Sequence, residues 1–180
     1  MPDYSARTER FTELYERNFE AVRRYAWRRS PLSADEVAAD TFLVAWRRLD
    51  EVPANSLPWL IAVARNTLLN ERRRQRRQAA VAGRLAGEAL SSRHQPETSI
   101  SELLENALAS LGELDREVLL LSVWEDLDRA EVAAVLGCSK ANVSVRLHRA
   151  RKRLGSELER LAPSSAQSLS SVNLTGGLNA

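Results

Sequence analysis

Cysteine is almost missing from this chain of 180 residues: Cys138 stands alone, which excludes an internal disulfide and a paired-cysteine metal site. Lysine is nearly as scarce. Only Lys140 and Lys152 are lysine among 26 basic residues, so the positive charge is arginine, whose planar fork holds a phosphate in two parallel hydrogen bonds where an ammonium is a point charge. A compositional bias of the genome accounts for that excess as readily. Of the two histidines, His148 has no second ligand beside it, so no metal site is expected there. No apolar run approaches the roughly 20 residues of a membrane span, and MPDYSARTER lacks a signal-peptide core, which predicts a cytoplasmic protein without membrane insertion. Catalytic signatures are absent as well: there is no P-loop, no HExxH and no nucleophile elbow. The acidic triplet Glu125, Asp126 and Asp128 reads as a turn and a helix cap more readily than as a metal cage, which leaves a metal-dependent nuclease as the enzymatic alternative. The expectation is a non-enzyme without a cofactor.

What is present is charge, unevenly spread. The length suits one domain or two small ones. A net charge of +2 conceals 15 basic and 11 acidic side chains in residues 1 to 80, 3 and 10 in residues 81 to 128, and 8 and 3 in residues 129 to 162. Two basic blocks flanking an acidic middle predict two separate anion-binding surfaces. The densest stretch is NERRRQRR, from Asn70 to Arg77, with five arginines in the six residues from Arg72; it follows the apolar run PWLIAVARNTLLN directly.

Apolar residues recur at spacings of three and four throughout, and no segment sustains an alternation, so the chain reads as all-α. A first helix places Phe11, Leu14, Tyr15, Val22, Tyr25 and Ala26 on one face. Ser33 to Glu36 has the form of a capping box, opening a helix that runs to about Leu49 before Pro53. The loop DEVPANSL, residues 50 to 57, precedes a third helix that turns Leu60, Ile61, Ala64 and Leu68 inward and continues into the arginines. Periodicity then fades from Gln78 to Ser99, a linker rich in glycine, serine and proline. Ser99 to Glu102 offers another capping box, before a helix through Leu103, Leu104, Ala107, Leu108 and Leu111. Asp115 is placed as the cap of the next helix. Asp128 to Glu131 repeats the box, and Gly137 ends that short helix as a left-handed cap. The last helix, Lys140 to Leu161, buries Val143, Leu147, Ala150, Leu154, Leu158 and Leu161. Residues 162 to 180 are serine-rich and uncharged, and are expected to be disordered.

The segment RAEVAAVLGCSKANVSVRLHRARKRL has the layout of a helix-turn-helix: a short helix closed by glycine, a tight turn, and a second helix with a polar, basic outer face. Ser139 would cap that second helix, so its first residues point into a major groove. Arg146, Arg149, Lys152 and Arg153 lie mostly opposite the leucine stripe, where phosphate contact is the economical reading and a merely solvated face is the alternative. Cys138 in the turn is better read as a small packed residue than as a redox sensor.

Two ordered sets of motifs carry a family resemblance. FTELYERNFEAVRRYA, ADEVAADTFLVAWRRL and LPWLIAVARNTLLNERRRQRR resemble region 2 of the extracytoplasmic-function (ECF) sigma factors, sigma-70 family group 4. ALASLGELDREVLLLSVWEDLDRAEVAAVLGCSKANVSVRLHRARKRL resembles their region 4. The resemblance implies two small helical domains, a region 2 bundle over residues 1–77 and a region 4 helix-turn-helix over 100–161, joined by a flexible linker, 78–99, and followed by the tail, 162–180. It implies a transcription initiation factor that brings core RNA polymerase to promoter DNA. The partners so implied are the β′ clamp helices and β flap of the polymerase, the promoter, and an anti-sigma factor.

Site residues follow from the same resemblance. Glu36, Asp40, Phe42 and Trp46 match the polymerase-binding helix, although an aromatic pair four residues apart also suits a core, and Ala39 stands where the family commonly has glutamine. The loop containing Val52 matches the family loop that captures a flipped minus-10 base. Asn66 and Asn70 match its flanking positions, their amides suiting base edges; an ordinary surface role is the alternative for Asn70. Arg65, Arg72, Arg73, Arg74, Arg76 and Arg77 would extend that contact along phosphates, or else form a localisation or RNA-binding tail. Lys140, Asn142, Ser144, Arg146, His148 and Arg149 match the minus-35 readers, with Ser144 replacing a commonly basic residue. The rival reading is a stand-alone helix-turn-helix regulator with an N-terminal sensor or dimerisation bundle.

Overall fold

The computed structural model describes residues 4–82 and 100–161, and among them every regular element is helical. Three long helices form the first bundle: α1 (Tyr4–Arg29), α2 (Ala34–Arg47) and α3 (Ser56–Ala82). The second contains α4 (Ile100–Ala109), α5 (Glu113–Val123), α6 (Arg129–Leu136) and α7 (Lys140–Leu161). Short 3₁₀ turns, Pro31–Ser33 and Leu49–Glu51, precede α2 and follow it. Helix α3 continues through residues that composition assigned to the linker, as far as Ala82; the rest of that linker, the box at Ser99 and the tail lie outside the described residues.

The first core is built as the spacing predicts, with Val22, Tyr25 and Ala26 of α1 packed against Ala38 and Ala45 of α2 and Leu60, Ile61 and Ala64 of α3. Its outer end is aromatic. Phe11, Tyr15 and Phe19 of α1 meet Phe42 and Trp46 of α2, with ring centroids 4.8 Å apart for Tyr15–Phe42 and 5.1 Å for Phe11–Trp46, both edge to face. Such pairs add about 0.5–1.5 kcal/mol beyond the area they bury. Tyr15 nevertheless stays partly exposed, because it caps this cluster at its rim. Asn18 was not foreseen: it is buried, and its amide donates to the Leu14 carbonyl and, at 3.1 Å, to Ser56 Oγ, tying α1 to the start of α3.

Two local expectations, the caps at Ser33 and Asp115, fail for physical reasons. Ser33 makes no cap hydrogen bond, because it closes the 3₁₀ turn at φ −113°, ψ 9°, away from the extended geometry a cap requires, and its hydroxyl accepts from Ser30 Oγ. Asp115 lies inside the first turn of α5, whose N-cap is Gly112, and its carboxylate is taken by Arg146 at 2.8 Å. Leu104 faces outward on α4, while Ala107 of the same helix is fully buried. The box at Asp128 does form: its Oδ1 accepts from the N–H groups of Ala130 and Glu131, and Glu131 reaches back to the Asp128 N–H. Those two backbone donors hold the Asp128 carboxyl below the usual carboxylate range.

Candidate nucleic-acid interface

The turn between α6 and α7 is set by Gly137, which ends α6 at φ +63°, a conformation in which any side chain would be strained. The N–H groups of Gly137 and Cys138 both return to the Ala133 carbonyl. Ser139 Oγ then accepts the Asn142 N–H at 3.2 Å, which starts α7 one residue later. Val143, Leu147 and Ala150 are buried on the inner stripe, as expected, and Cys138 is half-buried at its edge. The opposite face presents Lys140, Asn142, His148, Arg149, Lys152 and Arg153 to solvent. Arg146 does not join them freely: its guanidinium is braced between Asp115 and Asn142 Oδ1, at 3.0 Å from the latter. Ser144 spends its hydroxyl on the Lys140 carbonyl, also at 3.0 Å. The outer face therefore rests on fewer free cations than the sequence suggests.

Helix α3 distributes its arginines differently. At 100° per residue, Asn66, Asn70, Arg73 and Arg77 share one face; both asparagines are exposed, and Asn70, Arg73, Arg76 and Arg77 line a shallow concavity of about 510 Å³. Arg74 faces α2. Arg65 and Arg72 turn the other way, toward α5, where Arg72 lies 3.6 Å from Glu113. Val52 cannot meet a base with its side chain, which is buried; its carbonyl accepts from Arg10 at 3.3 Å. The loop instead exposes Pro53, Ala54 and Asn55. Between it and α1 opens a cleft of about 330 Å³, lined in part by Arg10 and Arg17. Sequence reasoning missed both arginines, because charges on α1 read as an ordinary wetted face, and only their spacing of seven could have paired them.

On α2, Glu36 and Asp40 border a groove of about 550 Å³ shared with Leu43, Arg47, Asn70 and Arg74. Phe42 is buried in the aromatic core and Trp46 packs on Phe11 beneath the Arg7 guanidinium, so burial removes Phe42 from the surface a partner could touch. Leu43, half exposed beside the two carboxylates, was overlooked. Its signal was an apolar residue off the buried stripe.

The arrangement thus offers two separated basic surfaces, one with amides suited to base edges and one ending in a helix-turn-helix, plus a groove of mixed charge in which Glu36 and Asp40 stand beside the exposed Leu43. Residues 14–78 match the family model of sigma-70 region 2, and residues 101–154 that of sigma-70 region 4. The ECF RNA polymerase sigma factor SigL of Mycobacterium tuberculosis is 30% identical over 162 residues, covering 82% of this chain and 88% of that protein. A probable RNA polymerase sigma factor, RfaY, of Xanthomonas campestris pv. campestris is 34% identical over 141 residues, 72% of this chain, which spans only 35% of that relative's length. The sigma factor RpoE of Bartonella quintana, solved in complex with the anti-sigma factor NepR, has the same fold: its TM-score is 0.65 at 24% identity, over 83% of this chain and 96% of that one.

Proposed function

The chain belongs to the sigma-70 family of RNA polymerase sigma factors, in its ECF group, and from that premise we propose that it carries core polymerase to promoters by reading two DNA elements with its two basic surfaces. Region 4 reads the minus-35 element through the exposed first turns of α7, with Lys140, Asn142, His148 and Arg149 toward the groove and Lys152 and Arg153 toward phosphates. Arg146 and Ser144 position that helix more than they read bases. Region 2 receives the minus-10 strand on Asn66, Asn70, Arg73, Arg76 and Arg77. An unstacked base fits the cleft between the 50–57 loop and α1, where trapping it offsets the few kcal/mol that unstacking costs. Glu36, Asp40 and Leu43 are the surface for the polymerase, and Trp46 shapes it from behind.

The observation that carries this reading is the pair of exposed asparagines continuing into Arg73 and Arg77 on one face of α3. A sensor or dimerisation bundle would have no use for it, so the stand-alone regulator is disfavoured. The subunit performs no catalysis of its own; nucleotide addition belongs to the polymerase. No helix among the described residues is long and apolar enough to cross a membrane, in keeping with a factor that works beside the polymerase in the cytoplasm. The RpoE relative was solved with an anti-sigma factor, and we infer a partner of that kind here.

Run-off transcription with purified core polymerase on a genomic promoter library tests the proposal. New transcripts sharing two spaced upstream elements are expected. Their absence, together with no binding to core, would return the chain to the regulator reading. In the same assay Asn66→Ala should lower open-complex formation more than core binding, and an equal loss of both would remove Asn66 from the minus-10 surface.

A further inference from the structure

The two regions are docked on each other, with α3 packed on α6 and an ionic cluster set into the seam. Arg29 of α1 donates through Nε to both oxygens of Glu117, at 3.2 Å each, and through Nη1 to Glu125 at 3.2 Å. Arg28 donates to the other Glu125 oxygen at 2.6 Å, with its guanidinium over the Trp124 ring. The Tyr25 hydroxyl donates to Glu117 at 2.9 Å. Side-chain exposure is 8% for Arg29 and 5% for Glu125, so these charges are enclosed by the docking itself. Burial, with the Glu117 charge beside it, pushes the Tyr25 phenol far above its ordinary value and keeps it a donor.

Two arginines facing two glutamates make a neutral set that can part without stranding a charge, since each member regains water when the regions separate. Desolvation nearly offsets the Coulomb gain in such buried pairs. The ionic part of the seam therefore adds little net hold beyond the apolar contact of α3 with α6, and is suited to opening. What it covers is specific. Helix α6 packs along α3, Asn55 of the 50–57 loop donates to Glu131 of α6 at 2.7 Å, and Arg65 and Arg72 face the α5 carboxylates instead of a phosphate. Reading two spaced DNA elements needs the modules apart by about 3.4 Å for each intervening base pair, and the 17 residues between the described segments reach at most about 60 Å.

We propose that the Arg28–Arg29–Glu117–Glu125 cluster is a latch that holds the free chain closed, with carboxylates of region 4 facing Arg65 and Arg72 and taking the Asn55 amide, groups that add to the exposed minus-10 face of region 2 once they are released. This deepens the promoter-reading assignment, on which its consequence for DNA rests; the closure itself does not depend on it. Small-angle scattering of the full chain, with far-UV circular dichroism to monitor helicity, tests it. The wild type should scatter close to the radius of gyration of about 16 Å expected for a compact chain of this length. The double variant Glu117→Gln, Glu125→Gln should expand clearly while remaining helical, and should bind a mixed-sequence single-stranded oligonucleotide several-fold more tightly without polymerase. Tyr25→Phe, which removes one hydrogen bond and no packing, should shift both readouts in the same direction by less, and it decides the matter if the double variant loses helix content. A wild type already extended, or helical variants as compact as the wild type, would overturn the latch. Expansion without any gain in DNA binding would overturn the masking of Arg65, Arg72 and Asn55, whereas failure of the promoter reading would show in run-off transcription by the wild type.

Discussion

Helices α3 and α7 are both rich in arginine, yet they spend that charge in opposite ways. In α7 the cations are spaced so that most fall opposite a leucine stripe, and one face becomes basic while the other packs. In α3 five arginines crowd into six positions, so the 100° advance per residue sends them around the whole helix: Arg73 and Arg77 beside the asparagines, Arg74 over α2, Arg72 onto Glu113. A dense basic run therefore cannot be counted as one surface. Its members are sorted by what packs on each side.

The largest test asks whether the two regions fold as separate units. Leu121, fully buried in α5, should cost about 2–5 kcal/mol when replaced by alanine. In urea melts the region 4 transition should move to lower denaturant while the region 2 transition stays; one shared transition moving as a whole would mean a common core. Next, Arg149→Ala should weaken minus-35 binding by about 1–3 kcal/mol if the contact is to a base, measured with holoenzyme on promoter DNA, and unchanged affinity would put the recognition elsewhere on α7. Gly137→Ala should destabilise region 4 by about 1–2 kcal/mol through its left-handed φ alone, since a Cβ there would meet no neighbour. A smaller contrast separates the faces of α3. Arg73→Ala should lower the salt slope of holoenzyme–promoter binding by about 1, and Arg72→Ala should lower it less; equal slopes would erase the sorting of faces. The smallest effect is in pH. Because the folded-state pKa of Asp128 is depressed, its contribution is present above the unfolded value of about 4 and lost as pH falls below it. The melting temperature of region 4 should thus drop more on acidification in the wild type than in Asp128→Asn, which caps without titrating.

Region 4 was the more legible half. Its signals are local: Asp128 three residues before Glu131, a glycine where the chain must turn left-handed, and a stripe at helical spacing, each satisfied within a few residues of itself. Region 2 yielded its inward stripe for the same reason, but not its surface. Region 4 had its own long-range exception: Asp115 looked like a cap because nothing in the sequence reveals that Arg146, thirty-one positions later, comes to its carboxylate. Phe42 and Leu43 are adjacent apolar residues, and their exchange of roles, one core and one surface, depends on where α1 lays its aromatics.

Sequence by itself determined that the chain is helical, where most helices start and stop, which stripes pack, and that two ordered basic segments match regions 2 and 4 of a sigma factor. These follow from periodicity and caps, which act over one or two helical turns. Only the tertiary structure decided which arginines are free, which are spent as braces, and that Arg28 and Arg29 meet Glu117 and Glu125 across a seam. Those pairings join residues nearly a hundred positions apart, and a charge in a sequence does not say which partner folding will bring to it.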